Sequence, residues 1–124
     1  MTLVLVMVGG AVGATARFLV DRAVTARWGR TLPWGTLAVN VAGSLLLGLL
    51  AGSGSALPGS LGWLLGTGFC GAFTTYSTFG YETVRLAGQG GSGAARALLN
   101  VTVTVAAGLT SAALGWQLTS SLAV

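Results

Sequence analysis

The feature that most constrains this chain is how rarely it carries a charge. Residues 31–81 contain no Asp, Glu, Lys or Arg, and only 6% of the 124 residues are charged, against roughly 25% in soluble domains. A transmembrane helix needs about 20 mostly apolar residues, so this length allows at most four crossings. The sequence therefore predicts one all-α membrane domain, residues 1–124.

Turn-rich segments and arginines divide the chain into four predicted spans. The neutral stretch is split at 52–60, where glycines, serines and Pro58 indicate a turn, and a glycine-rich connection occupies 88–93. The predicted spans are TM1 at 3–25, TM2 at 34–51, TM3 at 61–84 and TM4 at 97–120. All six arginines flank loops one and three. The positive-inside rule then predicts cytoplasmic loops one and three and two external termini.

Few side chains are available for chemistry. Histidine is absent, Asp21 and Glu82 are the only acids, and Cys70 is the only cysteine. General acid–base catalysis near neutral pH needs such groups, so the composition argues against an enzyme. Cys70 can form no internal disulfide and has no histidine with which to build a metal cluster. No basic stripe alternates with aromatic residues, so no nucleic-acid partner is predicted.

Polar side chains recur inside two of the predicted spans. Thr36, Asn40 and Ser44 are four residues apart on TM2 and share one helical face, and Asn100 and Thr104 repeat this spacing on TM4. An amide exposed to hydrocarbon is costly, so these stripes face protein or water. Interhelical hydrogen bonds and a lined path are both compatible with the pattern.

Glycines four residues apart indicate closely packed helices. Three pairs occur, namely Gly9 and Gly13, Gly48 and Gly52, and Gly62 and Gly66. This spacing lets helix backbones approach closely in lipid. Four thin helices packed in this way leave no aqueous cavity inside one chain, so any pore forms between subunits. The sequence therefore predicts an oligomer.

TM3 has the most unusual composition. Its 68–82 segment combines aromatic rings with hydroxyl side chains at Thr74, Thr75, Ser77 and Thr78. Glycines and β-branched threonines weaken a helix, so we expect an interruption that releases backbone carbonyls. No acid lies deep in a span, whereas amide N–H, hydroxyl O–H and positive ring edges can all face an anion. Many weak contacts of this kind suit conduction.

Three motifs, in this order, resemble the signatures of the Fluc/CrcB fluoride-channel family. They are residues 9–18 on TM1, 35–44 on TM2, and 68–79 followed by Glu82 on TM3. The resemblance covers essentially the whole chain. It implies a four-helix protein of the cytoplasmic (inner) membrane that pairs as an antiparallel, dual-topology dimer. It also implies passive fluoride export through two pores, and a structural Na⁺ at the dimer centre.

The resemblance further implies roles for individual residues. The implied lining of the fluoride path comprises the pore asparagine Asn40 with Thr36 and Ser44, the aromatic pair Tyr76 and Phe79, the hydroxyls of Thr75, Ser77 and Thr78, and Asn100 and Thr104 on TM4. Arg17 matches an arginine near the pore vestibule. The backbone carbonyls of Gly71 and Thr74 match those that bind the central sodium.

Two features depart from the family pattern. Tyr76 stands where the first of two phenylalanines is usual, and its hydroxyl either extends the donor track or narrows the path. The arginines lie only near loops one and three, whereas a dual-topology subunit should show little such bias. We therefore expect a preferred orientation, with either a homodimer or an oppositely oriented homologous partner.

Two other functions are compatible with four small helices. A proton-coupled multidrug exporter of the antiparallel type needs a protonatable carboxylate near mid-membrane, but Asp21 and Glu82 lie near span ends. A non-transporting membrane scaffold needs only glycine-rich packing. Clustered hydrogen-bond donors in three spans argue against the scaffold.

Overall fold

Three long helices dominate the chain, and a segmented stretch lies between the second and third of them. A computed structural model describes residues 1–122. Its elements are α1 (Thr2–Trp28), α2 (Trp34–Gly52), a 3₁₀ turn (Gly54–Ala56), α3 (Gly59–Leu61), a π-helical stretch (Gly62–Cys70), α4 (Gly71–Phe73), α5 (Ser77–Ala87) and α6 (Gly93–Leu122). Helices α1, α2 and α6 are long and apolar enough to cross a membrane. The described part of the chain is all-α, as predicted.

Glycine and proline set the helix ends around the first loop. Helix α1 ends where Gly29 adopts a φ of 83°, a conformation that disfavours side chains, and its N–H donates to the carbonyl of Thr25 at 2.8 Å. Pro33 immediately precedes α2, where a residue without an N–H leaves no donor unpaired. Helix α1 therefore extends beyond the predicted span 3–25 and carries Arg27 in its last turn, where the helix dipole favours a cation.

The segment from Gly59 to Ala87 is not one continuous helix. Its winding widens to the π type over Gly62–Cys70, and regular helix stops at Phe73 before α5 begins. Thr74 is extended, with φ −79° and ψ 160°. The glycines at 62, 66, 68 and 71 reduce the advantage of regular α geometry here.

Helix α1 packs against the π-helical stretch through glycine-to-backbone contacts. A Cβ on Gly9 would overlap the carbonyl of Leu64, and one on Gly13 would overlap the backbone of Phe69. Gly68 meets α1 from the opposite side, where its Cβ would lie 3.0 Å from the Gly9 Cα. The missing side chains let the two backbones touch, which confirms the packing predicted for the first glycine pair.

Helices α2 and α6 form the second close pair. A Cβ on Gly48 would lie 2.9 Å from the Ala112 Cα, and one on Gly52 would lie 2.8 Å from the Trp116 Cα. Gly115 of α6 presses against the α2 backbone in return. The packing predicted for the second glycine pair is thus confirmed.

The third glycine pair behaves differently. Among the described residues, a Cβ on Gly62 would meet nothing within 4 Å, and one on Gly66 would meet only the Leu50 Cδ1 at 3.9 Å. The predicted close contact is therefore wrong within one chain, because Gly68 occupies the face that meets α1. The face of the π-helical stretch that carries Gly62 and Gly66 stays uncovered.

Few side chains are buried within the single chain. The buried apolar residues described are Val39, Cys70, Phe73, Leu86 and Ala97. Many large apolar side chains of α1 and α6 are exposed instead, far more than a monomer in water usually tolerates. Lipid and a neighbouring subunit are the surroundings that suit such a surface.

We expect Gly9→Ala to destabilise the fold by about 1–3 kcal/mol, the usual cost of overpacking, because the new methyl overlaps a backbone carbonyl. Thermal melting of the protein in detergent, followed by circular dichroism, measures this change. Gly10→Ala is the matched control, since its Cβ would lie 3.9 Å from its nearest neighbour, the Gly68 carbonyl oxygen. Equal melting temperatures for the two variants would contradict the packing described above.

Candidate functional site

The break between α4 and α5 is held by the side chain of Asn40 on α2. Because Thr74 is extended, the Thr75 N–H does not continue the helix and donates to the Asn40 Oδ1 at 2.8 Å. The Asn40 Nδ2 donates to the Thr75 carbonyl at 2.9 Å. One carboxamide therefore satisfies both backbone groups of a single residue, so the break leaves neither of them unpaired.

The same break leaves backbone carbonyls without helical partners. In residues 1–122, no backbone N–H donates to the carbonyl of Gly71 or to that of Thr74, because Thr75 bonds to Asn40 and the Thr78 N–H turns to the Thr75 Oγ1 at 3.3 Å. Gly71 is exposed. The two carbonyls that the sequence analysis assigned to sodium are thus uncommitted oxygens, which fit a hard cation.

An open groove of about 270 Å³ runs beside the break, between α2 and the segmented stretch. It is lined by Asn40, Gly43, Ser44, Leu47, Gly66, Cys70, Gly71 and Thr74. Gly43 lets Thr74 approach α2, since a Cβ there would overlap the Thr74 Cγ2. The predicted residues Asn40 and Ser44 therefore line this groove together with Gly71 and Thr74, the two residues whose carbonyls have no helical partner.

Helices α2 and α5 are joined by a second polar contact, from Thr36 to Glu82. The buried Thr36 hydroxyl donates to the Glu82 Oε1 at 2.5 Å. The sequence analysis placed Thr36 beside the pore asparagine but assigned Glu82 no site role. The signal was available, because Glu82 follows Phe79 by three residues and so lies on the same face of α5.

A second groove, of about 210 Å³, lies where α1 meets the break. Arg17 and Asp21 of α1 line it together with Thr36, Thr75 and Thr78. A larger groove of about 410 Å³ adjoins it and contains both acids of the chain and Arg30 and Arg85. Arg17, predicted near a vestibule, thus lines the same groove as Thr75 and Thr78. The adjoining groove carries side chains of both charge signs.

The aromatic pair lies on the open side of the molecule. The Tyr76 and Phe79 ring centroids are 6.3 Å apart and the rings are tilted by 39°. Tyr76 is 83% exposed, and Ser77 and Thr78 are exposed beside it. Within one chain these residues do not close around a path together with Asn40.

The polar stripe of α6 is directed at α5. The Asn100 Nδ2 donates to the Thr83 Oγ1 at 2.9 Å, and the Thr104 hydroxyl donates to the Asn100 Oδ1 at 3.4 Å. The Thr83 hydroxyl donates in turn to the Phe79 carbonyl at 2.8 Å. Of the two possibilities that the sequence left open, the structure therefore provides an interhelical hydrogen bond for this stripe, from Asn100 to Thr83.

Comparison with known proteins decides the family. The sequence model of the family described as CrcB-like protein, Camphor Resistance (CrcB), matches residues 4–116. The chain belongs to this family. The Fluoride-specific ion channel FluC 1 of Nocardia farcinica is 56% identical over 106 residues, covering 83% of this chain and 70% of that protein.

Two further CrcB relatives cover more of their own length. The Fluoride-specific ion channel FluC of Syntrophotalea carbinolica is 56% identical over 110 residues, 85% of this chain and 89% of the relative. The Fluoride-specific ion channel FluC 1 of Streptomyces avermitilis is 51% identical over 117 residues, 93% of each chain. Together with the three long apolar helices, these matches identify a multi-pass membrane protein of the CrcB family.

We expect Asn40→Ala to release the break, because the Thr75 N–H and carbonyl both lose their partner. An unpaired buried polar group costs roughly 1–3 kcal/mol, so the Thr75 amide should exchange with solvent deuterium about 5- to 150-fold faster. Hydrogen exchange with mass spectrometry, on protein in nanodiscs, measures this rate. Ser44→Ala is the control, since Ser44 makes no hydrogen bond among the described residues, and an equal effect of both variants would refute the clamp.

Proposed function

We propose that the chain is a fluoride-selective channel that lets fluoride leave the cytoplasm passively across the cytoplasmic membrane and so lowers its toxicity. The observation that carries this proposal is the break held by Asn40, where uncharged donors and aromatic rings gather in an apolar protein. No carboxylate lines the groove beside the break. The three relatives named as fluoride-specific ion channels, at 51–56% identity, support it.

In this proposal fluoride exchanges its water shell for protein donors. A carboxamide nitrogen carries two N–H groups, and Asn40 uses one of them on the Thr75 carbonyl, so the second can face the ion. The hydroxyls of Thr75, Ser77 and Thr78 extend the donor track. None of these groups carries a fixed charge, so the anion is held weakly enough to leave.

The aromatic rings supply the other contacts. A ring edge carries partial positive charge, so Tyr76 and Phe79 can each present an edge to fluoride. Asn100 and Thr104 act behind this pair, since their hydrogen bonds reach the Phe79 carbonyl through Thr83. Thr36 and Ser44 continue the polar face of α2 on either side of Asn40.

A second chain completes the path in this proposal. Residues 59–87 form the fourth crossing as an interrupted TM3, and its exposed residues, Gly62 and Tyr76 among them, meet the partner. We infer an antiparallel dimer, because the donor track and the aromatic pair remain open within one chain. The partner is either a second copy or an oppositely oriented homologue.

In this proposal a sodium ion binds at the centre of the dimer. The Gly71 and Thr74 carbonyls would hold it, and two antiparallel chains would contribute four oxygens from these positions. Bound there, Na⁺ supplies a structural positive charge between the two paths. At the mouth of the path, Arg17 raises the local concentration of anions.

We expect Asn40→Asp and Phe79→Ile each to reduce fluoride efflux to the rate of protein-free liposomes. The first variant places a negative charge in the path, and the second removes a ring edge. A fluoride electrode on loaded proteoliposomes measures the efflux, with chloride and a cationic dye as controls for selectivity.

Thr15→Ala serves as the matched control for these efflux measurements. The exposed Thr15 hydroxyl donates only to the Ala11 carbonyl of its own helix, at 2.9 Å, so this variant should conduct like the wild type. Wild-type efflux in both pore variants would defeat the proposal, and so would dye transport without fluoride transport.

The arginine distribution predicts one orientation for the chain in the membrane. Because all six arginines lie near loops one and three, a reporter fused to the C-terminus should be active on the external side alone. Paired reporters, one active only outside and the other only in the cytoplasm, measure the ratio. Equal signals on both sides would establish dual topology instead.

A further inference from the structure

Two grooves flank the start of α2 at the arginine-rich end of the molecule. The first is a shallow groove of about 70 Å³ between α2 and α6, and Trp34, Leu37, Arg96, Leu99 and Val103 are among its lining residues. The second, of about 590 Å³, lies between α1 and α2. Its lining residues are all apolar, namely Val24, Trp28, Trp34, Leu37, Ala38, Val41, Ala42 and Leu45. The grooves share Trp34 and Leu37, which form a ridge between them.

Two tryptophans mark the membrane level of this ridge. The Trp28 and Trp34 rings lie 5.9 Å apart at the end of α1 and the start of α2. Tryptophan is enriched where lipid headgroups meet the hydrocarbon. The grooves therefore begin at headgroup depth and continue along α2 toward the membrane interior.

Arg96 is a cation with few protein partners at this depth. Its Nη2 donates to the Gln89 Oε1 at 3.0 Å, and its Nε is buried without a hydrogen-bond partner. It lies in the first turn of α6, which contains no acidic residue, so the positive helix end adds to its charge. None of the residues that line the two grooves is acidic.

We propose that these grooves bind an anionic diacyl phospholipid. The lipid phosphate pairs with the Arg96 guanidinium, and the two acyl chains lie on either side of the ridge formed by Trp34 and Leu37. Charge complementarity selects an anionic headgroup, since a basic pocket between membrane helices without a nearby carboxylate favours one. The site depends on the membrane placement of the chain, and although Asn100 also lines the first groove, lipid binding is measured separately from fluoride efflux.

Native mass spectrometry of the purified protein tests this site. The protein in detergent is titrated with phosphatidylglycerol or with phosphatidylcholine of identical acyl chains. We expect about fivefold stronger retention of phosphatidylglycerol, the effect of one arginine near an anionic headgroup. Arg96→Gln should remove this preference, whereas Arg22→Gln, which removes an equal charge from an exposed position outside both grooves, should keep it.

A groove variant separates lipid binding from simple attraction of phosphate. Val103→Trp fills the groove between α2 and α6, so it should weaken retention of both lipids while leaving their ratio unchanged. Circular dichroism confirms that each variant is folded. The proposal is overturned if Arg96→Gln retains the preference, if Arg22→Gln loses it equally, or if inorganic phosphate competes as well as the lipid does.

Discussion

The constraint on which the structure depends is that backbone groups in hydrocarbon must find partners within the protein. The chain interrupts a helix at Thr74 and meets this constraint with one side chain, because the Asn40 carboxamide both accepts from and donates to Thr75. The Asn40 side chain thus pairs with the Thr75 backbone in the way that the backbone of a neighbouring β-strand would. The uncommitted carbonyls and the exposed aromatic pair beside the break both follow from this contact.

Glycine packing determines which polar groups remain available. Gly9, Gly13 and Gly68 bring α1 into backbone contact with the π-helical stretch, and Gly48, Gly52 and Gly115 do the same for α2 and α6. Polar side chains are consequently of two kinds. Thr36 and Asn100 are hydrogen-bonded to another helix, and Thr104 donates to Asn100 within α6, whereas Ser77 and Thr78 are exposed. The first kind fixes the positions of α2, α5 and α6, and the second can contact an ion or a partner.

Sequence patterns predicted much of this arrangement, and the remainder has a physical reason. Charge-free stretches and turn residues predicted where the long helices α1, α2 and α6 lie, because hydrocarbon thickness sets their length. Glycine spacing predicted two of the three close contacts. Spacing cannot tell which face of a helix meets a neighbour, so Gly62 and Gly66 make no close backbone contact within the described residues. The bond of Asn40 to a backbone 35 residues away depends on tertiary placement. The Phe79–Glu82 spacing places Glu82 on the same face of α5, but its bond to Thr36, 46 residues away, also depends on tertiary placement.

The length of α6 has a consequence for how the molecule is held in a bilayer. Its 30 residues extend about 45 Å, whereas the hydrocarbon is about 30 Å thick, so the helix must tilt or protrude. Because Gly48, Gly52 and Gly115 join α2 to α6 backbone to backbone, α2 tilts with it. A thinner or thicker bilayer therefore changes the tilt of α2 and α6 together, and Asn40 changes its orientation in the membrane with them.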